Sequence, residues 1–234
     1  MVSDSDTLEG LRAQLGGDSL KKQLSAVHEL AALGGSGMEV LTRTLSDRND
    51  QPATVLDGRI VQVLYASQNE DLRDFLAQHW PQGRLPMATA SGVDYWPLQD
   101  SLIRQDFQTA DRLTLEKLCE LAGPGAVQRK WVYFTEVDQF ASVDLQTIDQ
   151  LWLAYSEGKF GFSVQRRIWL GLGQNWDKLW PRLGWKDDNI WTRYPGEFIW
   201  DLSAPDGHLP LSNQLRGVRM LASLLSHPAW SQGS

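Results

Sequence analysis

Residues 144–155 read DLQTIDQLWLAY. Leu145, Ile148, Leu151 and Trp152 fall at i, i+3, i+6 and i+7, one face of a 3.6-residue helix. Asp144 stands ahead of that face, where a cap belongs. The same period extends outward in both directions. Upstream, residues 106–122 (DFQTADRLTLEKLCELA) place Ala110, Leu113, Leu118 and Leu121 on an apolar face, and Gly123-Pro124-Gly125 ends the run. Downstream, residues 164–172 (VQRRIWLGL) predict a helix and 175–183 (NWDKLWPRL) a short one broken at Pro181. The last helix is expected over about 211–226, with Leu211, Leu215, Val218, Leu221 and Leu225 on one side and His227-Pro228 closing it. Trp131-Val132-Tyr133-Phe134 is extended by propensity, but it has no evident partner strand, so loop or short helix fits as well. No convincing hairpin emerges, and the chain is assigned to the all-α class.

Toward the N-terminus the pattern shortens. Residues 7–16 carry Leu8, Leu11 and Leu15 on one helical face. Asp18 is expected to cap a second helix that turns Leu20, Leu24, Val27, Leu30 and Leu33 inward. Met38, Leu41 and Leu45 mark a third helix; residues 53–65 and 69–78 give a fourth and a fifth. Short amphipathic helices joined by glycine-bearing turns suggest a small bundle or a helical-repeat stack. Residues 81–92 lose the period and gain Pro, Gly and small residues. The expected organisation is therefore a helical accessory domain over 1–82 and a larger helical core domain over 90–234 with long ligand-binding loops.

Composition narrows the functional classes. The 234 residues carry a net charge of −7, so a general nucleic-acid binder, which needs a basic face, is excluded. Residues 1–80 hold twelve acidic against seven basic side chains, and the remainder seventeen against fifteen. Cys119 is the single cysteine, which rules out an internal disulfide and a thiolate metal cluster. No apolar run has the length of a membrane span, and the acidic start MVSDSDTLEG is neither a signal nor a transit peptide. The expectation is a cytoplasmic protein. Motifs for phosphate loops, G-x-S-x-G nucleophiles and H-E-x-x-H metal sites are absent from the sequence, and His28, His79, His208 and His227 are scattered. Glu136, Asp138 and Glu197 are the nearest thing to a catalytic carboxylate set, and solvated acids or caps explain them more simply.

The unusual number is eleven tryptophans, nine of them between Trp131 and Trp230. Five large aromatics (Trp185, Trp191, Tyr194, Phe198 and Trp200) fall in sixteen residues among Asp-Asp-Asn, Pro-Gly and Ala-Pro-Asp-Gly. Those turn-formers put at least some of the rings on loops. Arg216 and Arg219 follow, three apart, and would share a face if their run is helical. Loop-borne rings beside two guanidiniums describe a site for a flat apolar ligand with carboxylates at one edge. Burying on the order of 300 Å² of such a ligand at ~25 cal/mol per Å² gives roughly 7 kcal/mol gross, much of it offset by association costs. The alternative stays open: the rings are core, and the chain is a protein-interaction or scaffold module. An enzyme acting on the flat ligand is the third reading.

The runs LCELAGPGA (118–126), WVYFTEVDQF (131–140), GKFGFSVQRRIWL (158–170), WTRYPGEFIWDLSAPDGHLPLSNQLRGVR (191–219) and HPAW (227–230) resemble the genomes-uncoupled family of porphyrin-binding activators of magnesium chelatase in chlorophyll synthesis. The resemblance covers most of residues 90–230, and the N-terminal part looks like the accessory domain of cyanobacterial members. It implies a helical core whose loops cup protoporphyrin IX and Mg-protoporphyrin IX, a regulatory role in place of a catalytic one, and the large porphyrin-binding subunit of magnesium chelatase as partner. It also implies a monomer without transmembrane segment, with peripheral association at photosynthetic membranes. Arg216 and Arg219 match the family's basic pair near the ligand carboxylates, and Phe134 and Tyr194 match pocket-lining positions. Trp191 and Leu215 join them by proximity in the sequence, and Asn213 as a polar group for the ring centre. No histidine stands out as an axial ligand, so no metal-binding residue is expected.

Overall fold

A computed structural model describes residues 4–67, 69–211 and 218–231. The chain divides after Pro86 into two compact units. Both are helical, and among the described residues thirteen α-helices are joined by a single two-stranded sheet.

Unit 1 holds α1 (Asp4–Leu15), α2 (Leu20–Ala32), α3 (Gly35–Asp47), α4 (Val55–Ala66) and α5 (Glu70–His79). The core is built on α4, which buries Leu56, Ile60, Val61 and Leu64 against Val27 and Leu30 of α2 and Leu41 and Leu45 of α3. Burying such aliphatic side chains contributes about 1.5–3 kcal/mol each. The approach of α2 and α3 is close. A Cβ added at Gly37 would lie 1.9 Å from the Leu30 carbonyl oxygen. The start of α4 is fixed by Asp57, which is fully buried and accepts the Thr54 amide proton at 2.8 Å and both Nε and Nη2 protons of Arg48 at 3.0 and 2.9 Å. Burial opposes that charge, but the bonds from Arg48 and Thr54 outweigh it and hold the carboxyl below its usual range. Two expectations fail here. The residue before α2 is Ser19, not Asp18, and Leu20 and Leu33 at the helix ends are exposed because the turns carry them past the core face.

Unit 2 holds α6 (Trp96–Ile103), α7 (Phe107–Ala122), α8 (Pro124–Arg129), α9 (Phe134–Val137), α10 (Ser142–Tyr155), α11 (Phe162–Gly171), α12 (Trp176–Arg182), β1 (Lys186–Asp187), β2 (Ile190–Trp191) and α13 (Arg219–Ser226). The 144–155 stretch forms α10 and is its centre: nine of the fourteen residues of α10 are buried. Its polar atoms are matched rather than absent. Trp152 Nε1 donates to Thr114 of α7 at 2.9 Å, and Tyr155 donates to Gln99 of α6 at 2.8 Å. Asp144 lies inside α10 and does not cap it. It accepts protons from Thr89, Ala90, Ser91 and Tyr95 and so ties the 89–95 segment to the helix. Asp149 accepts the Ser163 amide proton at 2.8 Å and orders the first turn of α11.

Three further boundaries differ from the sequence reading. Pro181 lies inside α12, one residue before its end, and does not break it. The last helix starts at Arg219; Leu211 lies outside it and Val218 is its cap, so 211–226 is not one helix. A hairpin exists: Lys186 pairs with Trp191 and Asp187 with Ile190. Its turn residues Asp188 and Asn189 both have positive φ (41° and 78°), the geometry favoured in two-residue hairpin loops.

Candidate ligand site in the aromatic loop

The hairpin and the loop after it carry the rings. Trp176 and Trp180, four apart on α12, stack at 5.3 Å between centroids. Trp180 then meets Trp185 at 5.8 Å and Trp191 at 5.5 Å, while Trp176 meets Trp169 of α11 at 4.9 Å. Trp185 is fully buried and donates its indole proton to the His208 carbonyl at 2.8 Å. Trp169, Trp180 and Trp185 are core, and Trp176 is half-buried. They fix the hairpin to α12 and leave Trp191 half-buried at its edge, with Lys186 Nζ 5.5 Å from its ring.

A second cluster begins at Tyr194, whose peptide bond to Pro195 is cis. Tyr194, Phe198 and Trp200 pack within 5.8–6.3 Å of one another, and Phe198 also meets His208 at 5.4 Å. Tyr194 is 53% exposed, whereas Phe198 is buried beneath it. His208 organises this loop from inside. Its Nδ1 donates to the Leu183 carbonyl at 2.6 Å, and its Nε2 accepts the Ile199 amide proton at 3.2 Å. Burial lowers its pKa, with the Leu183 bond opposing, so the neutral ring is favoured. Gly207 (φ 75°) is required where the loop passes over α11 and the end of α12, because a Cβ there would come within 2.9 Å of Leu183 Cδ2 and 3.1 Å of Ile168 Cδ1. Gln165 completes the attachment, donating to the carbonyls of Gly207 and Pro210 at 3.0 and 2.8 Å. Further along, the Leu211 amide donates to Asp111 of α7 at 2.6 Å.

The third element is a cation on a ring. The Arg219 guanidinium lies 5.4 Å from the Phe134 ring, joining α13 to α9, and Phe134 is 38% exposed. The structure thus brings Phe134 and Arg219 together and puts Trp191 and Tyr194 in separate ring clusters on neighbouring stretches of chain. Asn213, Leu215 and Arg216 lie outside the described residues. Sequence reasoning did not single out His208, Gln165 or Asp111, because what they bond to are backbone groups that only the fold brings to them. The hairpin had a legible signal, Asp188-Asn189 between Lys186-Asp187 and Ile190-Trp191.

The carboxylates considered for catalysis are held in local structure. Glu136 pairs with Arg129 and accepts the Tyr133 amide proton, and Glu197 accepts the Arg193 amide proton at 2.9 Å. Among the described residues no group of three His, Cys, Asp or Glu side chains is arranged to hold a metal ion. An open groove of about 1010 Å³ in unit 1 is lined by Arg12, Met38, Val40, Arg43 and Leu72 among others, but by no aromatic ring. It is the wrong chemistry for a flat ligand, so the aromatic loop is the candidate.

A family model described as GUN4-like matches residues 88–228, and one described as an ARM-like repeat domain at the GUN4 N-terminus matches residues 1–81. A Ycf53-like protein of Synechocystis is 52% identical over 97% of this chain and 98% of its own length. The chain belongs to the GUN4-like family. A solved structure of GUN4 from Chlamydomonas reinhardtii is similar to this GUN4-like chain with a TM-score of 0.60 and 40% identity, covering 63% of this chain and 95% of that one. A chloroplastic protein of Arabidopsis thaliana named a tetrapyrrole-binding protein is 40% identical over 57% of this GUN4-like chain and 54% of its own length. Among the described residues no helix is long and apolar enough to cross a membrane.

Proposed function

We propose that this GUN4-like chain binds a tetrapyrrole through the aromatic loop of unit 2 and acts as a regulator, not a catalyst. The observation that carries the reading is the exposed Tyr194, held over Phe198 and Trp200 on a loop anchored from below by His208. An exposed ring on a firmly anchored loop can cover an apolar face without the ordering cost of a mobile one. Trp191 and Phe134 supply further ring surface. Arg219, together with Arg216, supplies charge for the ligand carboxylates, with Leu215 and Asn213 completing the proposed set. The name borne by the Arabidopsis relative supports the ligand class.

The finer reading is protoporphyrin IX and Mg-protoporphyrin IX as ligands, and stimulation of magnesium chelatase through its large porphyrin-binding subunit. Residues 90–234 would serve as the porphyrin-binding domain and 1–82 as its accessory. A fluorescence titration with deuteroporphyrin IX and its magnesium form tests the binding. Saturable tryptophan quenching at one equivalent is expected, and the double variant Arg216→Ala/Arg219→Ala should bind about ten- to a hundredfold more weakly, as loss of charged hydrogen bonds worth about 1.5–3 kcal/mol implies. Unchanged affinity in a folded double variant would remove both arginines from the site. Absence of saturable quenching would leave the rings as core and favour an interaction module.

A further inference from the structure

Phe134, the ring beside the Arg219 guanidinium, is the first residue of α9, a helix of only four residues. A single turn fixes several residues for few backbone bonds, so it needs support from outside itself. Two sides supply it. On one, Val137 of α9 is fully buried and the helix packs on α13. On the other, the Glu136 carboxylate accepts the Tyr133 amide proton at 2.8 Å, which closes the start of α9, and the same oxygen pairs with Arg129, the last residue of α8. The Arg129 guanidinium also lies 4.3 Å from the Tyr133 ring centroid and 5.1 Å from that of Trp131, and those two rings meet edge to face at 4.2 Å. The two arginines near this segment therefore differ. Arg129 is neutralised by Glu136, and the two side chains are only 23% and 22% exposed. Arg219, among the described residues, meets a ring and pairs with no carboxylate.

We propose that Arg129 is a positioning residue of the ligand site: paired with Glu136 and set against the Trp131 and Tyr133 rings, it fixes the entry to α9 and so determines where Phe134 is held beside Arg219. The inference rests on the tetrapyrrole-binding reading. An exposed ion pair contributes little, but this one is mostly shielded from water and is joined by two cation–ring contacts. Removing the guanidinium leaves the Glu136 charge poorly screened and takes away the group that meets both rings. The 130–133 turn then has less to hold it, and Phe134 loses its fixed place. A ring already in position covers an apolar face without an ordering cost, whereas a loosened one must be ordered by the ligand. Lysine keeps the charge for Glu136 but lacks the flat fork that faces a carboxylate and a ring at once.

The test is a double-mutant cycle on the full chain, read as deuteroporphyrin IX affinity: Arg129→Gln, Phe134→Ala and the two together. Arg129→Gln should bind about three- to tenfold more weakly, and Arg129→Lys should recover part of that loss. Phe134→Ala should also bind more weakly. The double variant should bind no more weakly than Phe134→Ala alone, because Arg129 acts through that ring. A general structural role would instead lower the melting temperature and give losses that add. If Arg129→Gln does not fold, Glu136→Gln takes its place in the cycle with the same expectation, since it keeps an oxygen for the Tyr133 amide and drops the charge that holds Arg129. Wild-type affinity in the folded Arg129→Gln chain, or a loss that persists undiminished in the Phe134→Ala background, overturns the proposal. A wild-type chain with no saturable binding overturns the tetrapyrrole reading and this inference with it, a result distinct from intact binding that ignores Arg129.

Discussion

The order of the aromatic loop depends on one imidazole. His208 bridges the Leu183 carbonyl and the Ile199 amide, and it can do so only while Nε2 is unprotonated. Its pKa is lowered by burial from the ordinary value of 6.5. The stability it contributes is therefore present above that value and is lost as pH falls through the folded-state pKa. Asp149 has the opposite sign: burial raises it to about 6, with the Ser163 bonds opposing, so its contribution is lost as pH rises through that value. The amide of Ile199 should thus lose hydrogen-exchange protection on acidification while amides in the middle of α10 keep theirs. Parallel loss at both places would mean global unfolding and would count against a local role for His208. None of this was legible in the sequence, where His208 is one of four scattered histidines. Its partners are a carbonyl and an amide, which every residue has, so only the fold singles out Leu183 and Ile199. Trp191, Tyr194, Phe134 and Arg219 could be named from residue type and resemblance, because ring area and guanidinium charge are written in the letters themselves.

Helices were the readable part, since a period of 3.6 residues survives in the sequence wherever one face is buried and the other wet. The α10 face at Leu145, Ile148, Leu151 and Trp152 is fully buried, as its spacing predicts. Helix ends were less readable. Arg219 begins α13 although the apolar period extends upstream of it, because periodicity does not report where the chain leaves the helix. The hairpin was overlooked because its strands are two residues each, too short for an alternating pattern. Contact distances between helices leave a trace only where size is limiting, as at Gly37. Replacing Gly37 with Ala should destabilise unit 1 by about 1–3 kcal/mol, since Leu30 presents backbone there and cannot rotate away. A urea midpoint unchanged from wild type would show that α2 and α3 can separate without loss.

The molecule is two helical units matched by two separate family models, over residues 1–81 and 88–228. Each unit has its own core, and unit 2 contains every ring and cation proposed for the ligand. A chain of residues 87–234 should accordingly fold alone and keep the porphyrin affinity of the whole, measured by circular dichroism and the same titration. A folded fragment that has lost binding would bring unit 1 into the site. The tryptophans of unit 2 also behave as a set. Trp169, Trp176 and Trp180 form a chain of rings that forks to Trp185 and Trp191, each neighbouring pair 4.9–5.8 Å apart. At such spacing the energy of an absorbed ultraviolet photon does not stay on the indole that captured it but migrates among the rings before it is emitted. An acceptor placed at Trp191 therefore drains the light of all five, and the protein's own glow becomes a collective gauge of whether that single edge is occupied.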